Sequence, residues 1–214
     1  VDGGTTIVNT DGTVSAVVGN QIGWIITLAD TDTRSGLDYF QASAVDSSGN
    51  VYLVGYTSTE GQGNREALIS KYNSSGVLQW QRLLGDSNPN YAYGVVLDSS
   101  GDVYLAGMGD SYKGIIFKYN SSGTLQWQKT FGDSNTQERG HGITVDSSGN
   151  VFVCGETTKN MTSIGALVAK LNNSGSLEWQ RTLDASQTQI FYDVVVDSSD
   201  NVYVGGVGAV SSST

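Results

Sequence analysis

VDSSGNVYLVG (Val45–Gly55) and KYNSSGVLQWQR (Lys71–Arg82) decide how this chain folds, because both come back along it. The first recurs around Asp98-Ser99-Ser100-Gly101-Asp102, Asp146-Ser147-Ser148-Gly149-Asn150 and Asp197-Ser198-Ser199-Asp200-Asn201. The second recurs as KYNSSGTLQWQK from Lys118 and KLNNSGSLEWQR from Lys170. The interval is about 50 residues, and a fixed period of that size marks a repeat architecture. In each stretch a polar turn separates two runs rich in β-branched and aromatic residues, the pattern of a tight hairpin. The Asp or Asn side chain can accept backbone N–H groups two residues on. The Gly that follows supplies the positive φ that closes the turn.

Each unit therefore holds two hairpins and four strand-like segments, a to d. In the unit opening at Tyr91, strand a is YAYGVVLD, strand b DVYLAGM, strand c GIIFKYN and strand d TLQWQKTFG. These runs of about four to eight residues are too short for helices, and no segment reads as one. Four strands per period is the signature of a propeller blade. The expected fold is all-β, a β-propeller of four-stranded blades in one domain, with blades over 39–85, 91–132 and 139–184. A closing blade would join 187–214, supplying a and b, to 5–30, where Trp24 heads WIITLAD as Trp179 heads WQRTLDA. That makes about four blades. VNTDGTVSAVVG also aligns with an a–b hairpin, and on that alignment the chain is a fragment of a larger propeller.

Composition fits this reading. The 214 residues include 28 Gly and one Pro, as short strands joined by tight turns require. A net charge of -10 repels phosphate backbones, so no nucleic-acid partner is expected. A single Cys excludes an internal disulfide. No apolar run approaches the roughly 20 residues of a spanning helix, so membrane insertion is not expected. The first residue is Val rather than Met, so a processed chain or a fragment is expected, with any targeting signal upstream of it.

The pattern VDSSGNVYLVG followed by ALISKYNSSGVLQWQR resembles the SBBP family, the bacterial β-propeller repeat. It is especially similar to versions carried by structural proteins of tailed bacteriophages. The resemblance covers about residues 39–206. It implies a surface-exposed, secreted or virion-appendage protein, and it carries over no common catalytic set. Seven blades, the family's usual number, do not fit in 214 residues.

Stacking the repeats separates scaffold from candidate site. Trp24, Trp80, Trp127 and Trp179 form one column, read as packing between blades. Lys71, Lys118 and Lys170 form another, expected to pair with turn carboxylates or carbonyls. Gly55, Gly107 and Gly155 allow close backbone approach. DSSGN reads as a turn rather than a calcium loop, because one Asp among serines offers too few oxygens. DTDTRSGLD, with Asp30, Asp32 and Asp38, is the better calcium candidate, although Arg34 stands where an acid should be. Neither a metal nor a cofactor is expected, since one His and one Cys make no zinc site.

The a–b and c–d turns lie at one end of the blades, and the varied b–c and d–a loops at the other. Function is expected at the varied end. Its loops carry Tyr56, Glu60, Arg65, Tyr91, Tyr112, Glu138, Arg139 and Asn160. A column near the start of strand a, Gln41, Tyr93, His141 and Tyr192, stands over small residues Ala42, Gly94 and Gly142, with Asp193 in the fourth place. It either plugs the axis or receives a ligand. Tyr56, Tyr91, Tyr93, Tyr112, Arg139, His141, Tyr192 and Asp193 are the expected ligand- or partner-binding residues, with no catalytic residue. The expected role is a non-catalytic structural or binding module on a virion or an extracellular surface. Its partners would be other virion or surface proteins, or a host surface glycan. The alternative is a glycan-active hydrolase or lyase using Asp193 and Glu138.

Overall fold

The computed structural model describes residues 39–58, 65–84, 90–133, 135–159, 163–183 and 188–208, and the backbone of three N-terminal strands. Those strands are β1 (Thr6–Val8), β2 (Thr13–Val18) and β3 (Gln21–Thr27). They form one three-stranded antiparallel sheet. The first complete blade is β4 (Tyr39–Val45), β5 (Val51–Thr57), β6 (Glu66–Tyr72) and β7 (Leu78–Leu84). The second is β8 (Tyr91–Leu97), β9 (Val103–Met108), β10 (Gly114–Tyr119) and β11 (Leu125–Phe131). The third is β12 (Thr136–Val145), β13 (Val151–Lys159), β14 (Ser163–Leu171) and β15 (Leu177–Leu183). A last a–b pair is β16 (Gln189–Val196) and β17 (Val202–Gly208). Each complete blade is a four-stranded meander in chain order, so the fold is an all-β propeller of four-stranded blades. Among the described residues one short 3₁₀ turn, Asp110–Tyr112, is a helical element that the sequence pattern missed. The chain divides into two compact units, Val1–Tyr91 and Ala92–Thr214.

The turns form as their residues dictate. Asp46 Oδ1 accepts the N–H groups of Ser48 and Asn50 at 3.0 and 2.9 Å, and Gly49 takes φ 78°. Asp98, Asp146 and Asp197 hold the same two N–H groups in their own turns. Asn73, Asn120 and Asn172 do so in the c–d turns. In the last a–b turn Asp200 replaces the Gly and itself adopts φ 61°, a conformation Asp tolerates better than most residues.

Register shows how the repeat is built. Val45↔Val51, Val145↔Val151 and Val196↔Val202 close a–b hairpins, and Val8↔Val14 closes β1–β2 with the same spacing. Each c–d pair shifts register beside its tryptophan, as in Lys71↔Trp80 followed by Tyr72↔Leu78. The β2–β3 pair repeats that shift, Ala16↔Trp24 followed by Val17↔Ile22. The side chain of Trp24 lies outside the described residues.

In the second unit the blades pack face to face. Tyr104, Ala106, Ile116 and Phe131 of one blade meet Ile143, Val151, Val153, Leu167 and Leu171 of the next, with Trp127 against the cluster. Residues one position along β13 point the other way: Phe152 and Cys154 pack with Val194, Val202 and Trp179. Alternation thus buries β13 on both faces, and Val151–Thr157 is buried throughout. Burial of each large apolar side chain contributes about 1.5–3 kcal/mol, so these central strands carry most of the hydrophobic stabilisation. Strand β17 has the sequence of such a strand, yet it is half-buried or exposed along its whole length. Among the described residues it pairs on one edge only.

Candidate functional site

The turn end of the blades is chemically satisfied. Asp46 Oδ2 takes Asn50 Nδ2 at 2.8 Å and the Tyr52 hydroxyl at 3.4 Å, in addition to the two N–H groups on Oδ1. Burial pushes the Asp46 carboxyl up, but the Asn50 and Ser48 hydrogen bonds outweigh it and hold the group below its ordinary value. Asn201 hydrogen bonds hold half-buried Asp197 down at about 2. Oxygens already facing N–H donors are poorly placed to ligate a cation. Among the described residues no cluster of three or more His, Cys, Asp or Glu side chains could hold a metal ion. The candidate calcium loop at Asp30, Asp32 and Asp38 lies outside the described residues, as do Glu60 and Asn160.

The lysine column runs beside these turns. Lys71 lies 3.9 Å from Asp46 and Lys118 lies 3.0 Å from Asp102, both turn carboxylates. Lys170 instead meets Glu178 on strand d at 3.0 Å. Each ammonium also lies over the ring one strand away, Tyr52, Tyr104 or Phe152. Those three rings meet Trp80, Trp127 and Trp179 edge-on, with centroids 6.0–6.3 Å apart. Aromatic and cation are therefore used up in scaffold contacts.

The opposite end is built on a β-bulge. Register slips between Phe40 and Ala42, between Gly140 and Gly142, and between Phe191 and Asp193. The extra residues are Gln41, His141 and Tyr192, members of the column expected from the sequence. A bulge leaves its extra residue out of the ladder and re-aims its side chain. Glycine on strand b makes the bulge possible: a Cβ on Gly55 would sit 1.7 Å from the Tyr39 carbonyl oxygen, and one on Gly155 1.8 Å from that of Arg139. The small column brings neighbouring strands a together. A Cβ on Gly94 would lie 2.6 Å from the His141 carbonyl oxygen, and one on Gly142 2.9 Å from that of Tyr192.

With the backbones this close, Tyr93 and the bulge side chains of His141 and Tyr192 form an aromatic row in the second unit. Tyr93 and His141 have ring centroids 5.4 Å apart, and His141 and Tyr192 5.5 Å. Tyr192 is half exposed. His141 Nε2 lies 3.8 Å from Glu156 Oε2, and Arg139 Nη1 bonds Glu156 Oε1 at 2.6 Å. His141 first, and Arg139 after it, hold the Glu156 carboxyl below its ordinary value against the opposing effect of burial. Arg139 Nε also reaches Met108 Sδ at 3.4 Å.

Other candidates separate. Tyr112 is exposed on the 3₁₀ turn at φ 60°. Exposed Asp193 places its carboxylate on the N–H of Val194, next to it in the chain. Glu138 is fully buried, bonded to the Thr136 hydroxyl and 3.6 Å from Lys113 Nζ, which also donates to the Asp133 and Thr136 carbonyls. The sequence pattern places Glu138 in a loop of the varied end, whereas it lies within β12. Ladder pairing of β12 with β13 continues as far as Thr136↔Lys159 in this blade, and that extension buries it. Cys154 is also buried, and its thiol is pushed up to about 12 by desolvation, far from a reactive thiolate.

In the first unit Tyr56 and Tyr91 come together, with centroids 5.0 Å apart at 71°. Tyr39 joins them, 5.0 Å from Tyr56, and Arg65 Nη1 donates to the Tyr91 hydroxyl at 3.0 Å. Tyr39 and Glu156 were not among the expected binding residues. Their signal was available: Tyr39 opens strand a as Tyr91 and Arg139 do, and Glu156 occupies the place of Tyr56.

Blade topology, repeat and bulge together define a β-propeller repeat protein. Residues 79–113 and 126–160 match the family model SBBP, beta-propeller repeat. Both matches span strand d of one blade and strands a and b of the next. No curated protein matches the chain. Among solved structures it is similar to the extracellular domain of BT4673 from B. thetaiotaomicron, described as a one component system. Identity is 13% and the TM-score 0.47, over 91% of this chain and 25% of that one, so the chain spans about a quarter of that structure's length.

Proposed function

We propose that this chain is a non-catalytic binding module of a virion or extracellular surface protein. It holds a partner protein or a surface glycan at the end of the blades where the b–c and d–a connections lie. One observation carries this reading. A single backbone pair, next to the glycine opposite the bulge, is Tyr39↔Tyr56 in one blade, Arg139↔Glu156 in another and Ile190↔Val207 in the last pair. At the turn end the same Asp and Asn bonds recur blade after blade. A scaffold held constant at one end and varied in chemistry at the other is how rigid folds present binding residues. Glu138, the acid that a carboxylate pair with Asp193 would use, is fully buried, which favours binding over the hydrolase or lyase alternative.

Retention of the purified chain on a panel of immobilised bacterial surface polysaccharides and virion proteins tests this. Retention is expected, with a loss of about tenfold or more in the Tyr93→Ala/Tyr192→Ala double variant, the usual scale for interface aromatics. Near-ultraviolet circular dichroism should show that the variant stays packed. Unchanged retention by that variant would contradict the reading. So would release of reducing sugars by the wild-type chain that stops in Asp193→Asn.

A further inference from the structure

Resting on that binding role, we propose that Arg65, Tyr39, Tyr56 and Tyr91 form a site for a sugar bearing a single carboxylate, a uronic-acid unit within an otherwise neutral glycan. All four lie in the first unit, at the varied end. Tyr39 opens β4, Tyr56 lies near the end of β5, Arg65 immediately precedes β6, and Tyr91 opens β8. The Arg65 guanidinium carbon lies 5.6 Å from the Tyr56 ring centroid and 5.8 Å from that of Tyr91. Its Nη1 is fixed by the Tyr91 hydroxyl at 3.0 Å. Two rings and one hydrogen bond thus orient an exposed, planar fork of donors.

Charge distinguishes Arg65 from five other described cations of this chain. Lys71, Lys118, Lys170, Lys113 and Arg139 each have a carboxylate partner: Asp46, Asp102, Glu178, Glu138 and Glu156. The described side-chain contacts of Arg65 are tyrosines. A guanidinium held in place and facing solvent matches a carboxylate through two parallel N–H bonds. Tyr39, 38% exposed, presents a ring against which the C–H face of a sugar can lie. The Tyr39 and Tyr56 hydroxyls can bond sugar hydroxyls.

One feature narrows the ligand. The net charge of -10 repels extended polyanions, which favours an isolated carboxylate over a densely charged chain.

Calorimetric titration of the full chain tests this with oligosaccharides that each carry one uronate, every one paired with its carboxyl-reduced counterpart. At least one acidic sugar should bind about tenfold or more tightly than its neutral partner, the scale of a hydrogen-bonded charge. Arg65→Gln should abolish that preference, Arg65→Lys should restore only part of it, and Tyr39→Ala should weaken both ligands alike. Equal binding of every acidic and neutral pair would overturn the proposal. So would a preference untouched by Arg65→Gln, or binding of acidic phosphopeptides with no sugar bound. None of these three results bears on the Tyr93/Tyr192 retention test, so the wider binding role stands or falls separately.

Discussion

Asp46, Asp98, Asp146 and Asp197 show how much one side chain can fix. Each supplies one oxygen to two backbone N–H groups, and in three of the turns the other oxygen takes a tyrosine hydroxyl, from Tyr52, Tyr104 or Tyr203. Phe152 stands in the fourth place, so the tyrosine bond is dispensable and the N–H bonds are not. Asp46, Asp197 and Glu156 all have carboxyls below their ordinary values. A depressed carboxyl contributes stability above its unfolded value, about 4, and loses it as pH falls through the folded value. Stability to urea should therefore decline from about pH 4.5 towards pH 2, and the decline should be shallower in Asp197→Asn. A decline of equal slope in the variant would remove Asp197 from that role. The turn chemistry was legible in the sequence because it is local: donor and acceptor lie within four residues. Cys154 was legible by comparison with Val54 and Ala106, apolar residues of the same buried strand position.

At the scale of the element, the bulge in strand a explains most of the varied end. It requires the glycine opposite, and it aims Gln41, His141 and Tyr192. Gly155→Ala would drive a Cβ to 1.8 Å from the Arg139 carbonyl oxygen, whereas a Cβ on Gly205 would meet nothing within 4 Å. Overpacking of this kind costs about 1–3 kcal/mol or more, while an open site changes little. Urea denaturation should therefore show a large loss for Gly155→Ala and a change within about 0.5 kcal/mol for Gly205→Ala. Similar losses in both would refute the bulge as the reason for the glycine. Repetition made the column legible, since four aligned segments picked out Gln41, Tyr93, His141 and Tyr192. The bulge was not legible, because it is a register between strands and no single segment encodes it. The burial of Glu138 was missed for a related reason: nothing local marks where β12 stops pairing with β13.

For the whole molecule, the repeat sets a division of labour between the two ends of the blades. Period, strand count and hairpin chemistry were all readable, because they recur. The pairing of Tyr56 with Tyr91 and Arg65 was not, because it joins residues from separate strands and connections that occur once. β17 is exposed along most of its length, whereas its counterparts β5, β9 and β13 are buried.

The most direct test of the two-ended division is a nuclear magnetic resonance titration of labelled full chain with a polysaccharide or partner protein that it retains. Shifts are expected at Tyr56, Tyr91, Tyr93, His141 and Tyr192, with the turns at Asp46, Asp98, Asp146 and Asp197 unmoved. Shifts centred on those turns, with the five varied-end residues unmoved, would contradict it.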